Sequence, residues 1–367
     1  MSDRRPISLA TEANYRGRRD RRVRYDLSYF LRSYYSDLMH NDDLSSLEIC
    51  AGAGGQALGL EQAGFTHVAA VELDVHAVAT LRSNRPQWNV VHQDVREFDA
   101  SGFRGVDLFA GGVPCPPFST AGKQRGAADD RDLFPAALDI VECVKPTAVM
   151  LENVPGLATA KFETYRRNIA ARLERLGYRV SWQVLNSCNY GVPQLRPRFI
   201  LVALRPKAAS QFEWPAVVRT PVTVGRALVD QMALNDWPGA LRWSARANGI
   251  APTLVGGSKL HGGPDLGPTR AREGWRLLGV DGRGIADEAP FADFPVEGDP
   301  RLTIRMAARI QGFPDDWMFS GRKTAAYRQI GNAFPPPVAA AVGTAIRAAL
   351  TGVTRKHRPS QGQLLLG

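Results

Sequence analysis

The alternation of apolar and polar positions is strongest between Leu44 and Leu204. Apolar runs at Ser46–Cys50, His67–Glu72, Val90–His92, Val106–Ala110, Ala148–Leu151, Arg179–Asn186 and Arg198–Leu204 read as strands. Between them, apolar residues at helical spacing predict helices at Gln56–Ala63, Val75–Asn84, Leu133–Val144 and Tyr165–Leu176, with Gly64 as a C-cap. Such strand–helix alternation predicts an α/β, doubly wound Rossmann-like sheet, with ligands at the carboxyl ends of its strands. From Arg205 to about Pro300 the regularity fades, and Gly256–Arg270 reads as irregular backbone. Helical spacing returns over Thr303–Phe313 and Pro337–Leu350, with a loop expected between them. The plan is an extension at 1–43, a large domain at 44–204, a smaller loop-rich domain at 205–300, a segment at 301–352 and a tail at 353–367. Within the extension, Arg16–Arg24 carries six arginines against one aspartate, and Arg24–Met39 has loosely helical aromatic spacing.

The chain has 367 residues, 44% of them hydrophobic, enough for more than one domain. It has no run of 18 apolar residues, so no membrane span is expected. The N-terminus is polar and basic rather than a signal-peptide core, and an intracellular chain is expected. Four cysteines, at 50, 115, 143 and 188, form no Cys-x-x-Cys pair, and six histidines are scattered. Neither a disulfide framework nor a metal is called for. Of the formal charge of +10, residues 301–367 carry ten basic against two acidic side chains, whereas 205–300 balance at eleven of each. A polyanion such as nucleic acid suits the basic segment, and on charge alone a solvated face explains it equally well.

The glycine run Gly52-Ala-Gly54-Gly55 follows the first strand, and acidic Glu72 lies 20 residues beyond Gly52 at the end of the second. Glycines there let backbone approach a ligand, and a carboxylate at a strand end accepts from ribose hydroxyls. The pattern suits NAD and S-adenosylmethionine alike. Asp94 ends the third strand, placed to accept from an adenine amino group. Cys115 follows an apolar strand inside Pro114-Cys-Pro-Pro117. Alone, a cysteine in a proline turn is more often a small buried residue than a nucleophile. Glu152 emerges from a buried strand at the same crevice, where burial would raise its pKa for acid–base work. Arg196 and Arg198, at i and i+2 of an extended segment, point to one side and suit a phosphate, a carboxylate or a base carbonyl.

In order, the chain carries Glu48-Ile-Cys-Ala-Gly-Ala-Gly-Gly, Gly112-Val-Pro-Cys-Pro-Pro-Phe-Ser119, Glu152-Asn-Val, Gln194-Leu-Arg-Pro-Arg198, Arg305-Met-Ala-Ala-Arg-Ile-Gln-Gly-Phe-Pro-Asp315 and Gln329-Ile-Gly-Asn-Ala333. This series resembles the DNA cytosine-5 methyltransferases of bacterial modification systems. The resemblance implies an S-adenosylmethionine-dependent catalytic domain with a smaller loop-rich target-recognition domain at 205–300. The 301–352 segment would close back on the first domain. Cys115 would add to carbon 6 of a flipped-out cytosine, Glu152 would protonate ring nitrogen 3, and Arg198 would hold the carbonyl oxygen, supported by Arg196 and Gln194. Cofactor contacts are expected from Cys50, Ala51, Gly52, Gly54, Gly55, Glu72, Leu73, Asp94, Val95, Pro114, Leu133, Asn332 and Ala333. Two departures stand out: Cys50 replaces the usual aromatic of the first motif, and Pro116 replaces the glutamine after the catalytic cysteine.

Within 205–300, Lys259, His261 and Arg270 are candidate base contacts, although a loop there also serves as a plain surface connection. The implied partners are double-stranded DNA and a separately encoded restriction endonuclease, with a monomeric enzyme and no membrane. Three other readings stand beside this one: a tRNA methyltransferase of the same family, a catalytically silent DNA-binding relative and a nicotinamide-dependent dehydrogenase.

Overall fold

The computed structural model describes residues 44–114, 132–217, 221–257 and 263–352. Seven strands form one mixed sheet: β1 (Leu44–Ile49), β2 (Phe65–Glu72), β3 (Val90–His92), β4 (Leu108–Gly112), β5 (Ala148–Asn153), β6 (Arg179–Asn186) and β7 (Pro197–Leu204). Their spatial order is β3-β2-β1-β4-β5-β7-β6. The first five are parallel, and β7 runs antiparallel to both β5 and β6. The order reverses direction between β1 and β4, so a crevice opens there at the carboxyl ends.

Alternation along the central strands sorts the two faces. Leu47 and Ile49 of β1, with Val149 and Leu151 of β5, pack against α3 (Phe134–Val144) and α4 (Glu163–Arg175). Ala148 and Met150 point the other way, into a core shared with α1 (Gly55–Gln62) and the long α10 (Pro336–Thr351). Helix α2 (Val75–Asn84) starts on Asp74, whose carboxylate accepts from the amides of His76 at 2.9 Å and Ala77 at 3.2 Å.

The predicted strand Val106–Ala110 is displaced by two residues, to Leu108–Gly112. Glycine is a poor strand former, which is why the pattern alone ends at Ala110. Pairing of Gly111 with Leu151 and of Gly112 with Glu152 overrides that preference. Among its described residues the loop-rich region holds a single-turn helix at Pro206–Ala209 and three longer ones, α5 (Val224–Met232), α6 (Ala240–Arg246) and α7 (Thr269–Leu277). Irregular backbone was expected through Arg270, but the helical turn begins at Thr269, directly after Pro268, and buries Trp275. Between α8 (Ile304–Gln311) and α10, the expected loop contains a further helix, α9 (Lys323–Asn332). Its buried stripe of Ala326, Tyr327 and Ile330 is narrow among polar neighbours. The expected helix over Arg24–Met39 lies outside the described residues.

Helices α1 and α10 approach closely at Gly59. A Cβ added there would sit 2.5 Å from both the Ala339 Cβ and the Pro336 carbonyl oxygen. This contact docks the C-terminal helix beneath the glycine loop. Gly59→Val should therefore lower the unfolding free energy by about 2–3 kcal/mol through overpacking, measured by urea denaturation. Unchanged stability would show that the two helices can separate.

Candidate active site

At the end of β1 the chain turns through Cys50 (φ 51°), Gly52 (φ 54°) and Gly54 (φ 85°), all left-handed. Gly54 caps α1, and a side chain there would clash with Leu81 and Trp317. Glu72 holds this loop from the neighbouring strand: its Oε2 accepts from the Gly52 amide at 2.7 Å. Its Oε1 accepts from Leu73 at 2.9 Å and Asp74 at 2.7 Å. A carboxylate has about four acceptor positions, so three amides fix it and leave capacity facing the crevice. Above Gly52 there is open space, with no atom within 4 Å of an added Cβ. Burial, reinforced by Glu72, Asp94 and Glu48, pushes the Cys50 thiol up, so it stays neutral. Asp94 is engaged by Arg96, with Nη2 at 2.5 Å, which holds its carboxyl below the usual range. Leu73 and Pro114 are exposed, Val95 is buried and Leu133 is partly buried, packing against the sheet core.

The reacting end lies one strand further on. Glu152, near the end of β5, meets Arg198 at 2.8 Å between Oε1 and Nε, and both side chains are almost wholly buried. Burial raises the Glu152 pKa, against the opposing pull of Arg198 and then Arg196. Arg198 reaches the site because β7 is antiparallel, which brings its amino end beside the carboxyl end of β5. Gly112, at the tip of β4, joins the two halves. A Cβ there would lie 3.4 Å from Glu152 Oε2 and 3.9 Å from the Cys50 carbonyl oxygen. The next residue of β5, Asn153, donates from Nδ2 to the Val113 carbonyl at 2.7 Å, fixing the strand just before Pro114. Cys115, Lys259 and His261 lie outside the described residues.

Behind this pair, Arg196 is fully buried. Its Nη1 donates to the Leu254 carbonyl at 2.8 Å, and its Nη2 to those of Gly331 at 2.8 Å and Ala333 at 2.9 Å. Gln194 is equally buried. It donates to Gln311 Oε1 at 2.7 Å and accepts from the Leu254 amide at 2.7 Å. Asn332 is exposed and donates to the Gly257 carbonyl at 3.2 Å, while Ala333 packs near Gly55.

Residues 44–348 match the family described as C-5 cytosine-specific DNA methylase. The chain belongs to this family. It is 56% identical over 311 residues to the Type II methyltransferase M.NaeI of Lentzea aerocolonigenes, covering 84% of this chain and 75% of that protein. It is 52% identical over 315 residues to the Type II methyltransferase M.NgoMIV of Neisseria gonorrhoeae, covering 83% and 98%. Among solved structures, the Entamoeba histolytica methyltransferase EhMeth superposes with a TM-score of 0.60 at 14% identity, covering 84% of this chain and 99% of that one. The S. pombe Dnmt2 methyltransferase gives 0.55 at 19%, covering 84% and 98%; both likenesses concern the fold.

As a member of the family, the chain is a DNA cytosine-5 methyltransferase. Glu152 and Arg198 meet at one end of its crevice, and Cys50, Gly52 and Glu72 line the other. Arg196 and Gln194 stand behind them, with their polar groups turned to backbone and to Gln311 rather than to the crevice. Arg270 sits exposed on the first turn of α7. Two residues escaped the sequence reading. Asn153 is visible in the Glu-Asn-Val motif but carried no assigned task. Trp317 carries no motif signal of its own, yet its indole N–H reaches the glycine loop. Arg196→Met should lower stability by about 3 kcal/mol or more, since three buried carbonyls lose their donor. Thermal unfolding checks this, and a variant as stable as the parent would remove Arg196 from the scaffold.

Proposed function

We propose that this methyltransferase modifies carbon 5 of a flipped-out cytosine in double-stranded DNA, using S-adenosylmethionine and a covalent Cys115 adduct. The strongest support is the buried Glu152–Arg198 pair beside Gly112, three residues before Cys115. The loop at 50–55 fits the cofactor: it offers open space above Gly52, a carboxylate pinned by three amides and left-handed backbone at the mouth of the crevice. Gly52, Gly54, Gly55, Glu72 and Asp94 would hold the cofactor, together with Ala51, Leu73, Val95, Pro114, Leu133, Asn332 and Ala333 at the rim. S-adenosylmethionine supplies the electrophilic methyl group that carbon 5 receives.

The protein's part is to make carbon 5 nucleophilic. The Cys115 thiolate adds to carbon 6, and Glu152, whose burial raises its affinity for a proton, delivers that proton to ring nitrogen 3 as charge develops there. Arg198 holds the carbonyl oxygen and stabilises the carboxylate left on Glu152. Loss of the carbon 5 proton to a solvent base then expels the thiolate, and ring nitrogen 3 returns its proton to the Glu152 carboxylate, restoring the aromatic ring and the enzyme. Arg196 and Gln194 keep Arg198 and the recognition region in register. Flipping the base costs about a few kcal/mol, which phosphate contacts from the basic 301–367 segment and base contacts from Lys259, His261 and Arg270 offset. The designation of both relatives as Type II methyltransferases supports a restriction–modification role inside the cell, beside a separately encoded endonuclease. The chain would act as a monomer.

The test is transfer of labelled methyl groups from S-adenosylmethionine to duplex DNA, with tRNA as a second substrate. Label should enter 5-methylcytosine in DNA, and Cys115→Ala should abolish it. Turnover by Cys115→Ala, or label confined to tRNA, would overturn the proposal. Glu152→Gln should lower kcat by about 10²- to 10⁴-fold, since an amide cannot deliver the proton. An unchanged kcat would remove Glu152 from the chemistry.

A further inference from the structure

Trp317 lies 264 residues from the glycine loop and is 1% exposed. Its Nε1–H donates to the Ala53 carbonyl at 3.1 Å. Its ring lies on Gly54, where an added Cβ would come within 2.9 Å. A buried carbonyl in a loop with no regular pairing needs a donor, and this indole provides it. Beneath the indole, Arg85 stacks 5.1 Å from the Trp317 centroid and 5.8 Å from that of Trp88. Glu61 fixes Arg85 at 2.9 Å and accepts from Trp88 Nε1 at 3.2 Å.

The turn that delivers Trp317 is itself clamped. Arg305 donates to the Trp317 carbonyl at 3.0 Å, and Arg309 pairs with both Asp315 and Asp230. Asp230 belongs to α5, so the turn is tied to the recognition region on one side and to the glycine loop on the other. Simple core filling does not require an indole donor aimed at a loop carbonyl, or the same ring edge set against a left-handed glycine.

We propose that Trp317 is a positioning residue for the cofactor: it fixes the Ala53 carbonyl and the Gly54 backbone so that the amides of the 52–55 loop keep the geometry S-adenosylmethionine requires. This rests on the reading that the 50–55 loop and Glu72 hold that cofactor. Trp317 touches no reacting atom and acts through the loop.

The test is calorimetric titration of the full chain with S-adenosylhomocysteine, which reads binding without turnover. Trp317→Phe keeps an aromatic ring and removes the donor. Its affinity should fall about tenfold, with kcat at saturating cofactor within threefold of the parent. Arg85→Met disturbs the stack but leaves the Trp317–Ala53 bond, and should stay within twofold. Equal affinity in Trp317→Phe overturns the positioning role, and equal losses in both variants replace it with general packing. A parent chain that does not bind S-adenosylhomocysteine overturns the cofactor reading underneath. Should Trp317→Phe fail to fold, hydrogen exchange of the parent decides. Ligand-induced protection at 52–55 should extend to 313–317, and protection confined to the loop overturns the proposal.

Discussion

A buried guanidinium is the constraint on which the rest of the molecule depends. Arg196, just before β7, is fully buried, and burial pulls its pKa well down. The charge is tolerated because backbone carbonyls of three residues converge on its fork. One carbonyl belongs to Leu254 of the loop-rich region, one to Gly331 in the last turn of α9 and one to Ala333 just after it. Fragments of the chain far apart in sequence must therefore be in place together before this residue can be buried. Gln194, two residues earlier, repeats the arrangement, joining Leu254 to Gln311. The wall behind the crevice is held by these bonds from the Arg196 Nη atoms and the Gln194 amide.

That wall gives two glutamates different tasks. Glu72 stands at the end of β2, fixed by three amides of its own neighbourhood. It is suited to accept hydrogen bonds from a polar ligand. Glu152 stands at the end of β5 against one arginine, in surroundings dry enough to raise its pKa. It is suited to carry a proton. The antiparallel insertion of β7 makes the second environment possible, since a parallel strand would bring its carboxyl end to the crevice instead. Gly112 keeps the two environments in contact.

The parts legible in the sequence are those fixed by local pattern. Parallel strands, the glycine turn and the acidic or basic residues at strand ends all follow from spacing within a few residues. Helix α9 was not legible, because its apolar stripe is short and most of its stabilisation comes from packing beyond its own residues. The separate duties of Arg196 and Arg198 were not legible either. Two arginines at i and i+2 are equivalent until carbonyls 58, 135 and 137 residues away are brought to one of them. Trp317 is the clearest example, since an aromatic after Pro-Asp-Asp carries no local sign of the loop that it meets 264 residues earlier.

The central claim is that this chain writes 5-methylcytosine at a fixed DNA sequence. Bisulfite sequencing of DNA from cells expressing the protein tests it most directly. Cytosines at one recurring sequence context should resist conversion, and none should do so when Cys115 is replaced by alanine. Complete conversion at every site, or protection without a common context, would contradict it.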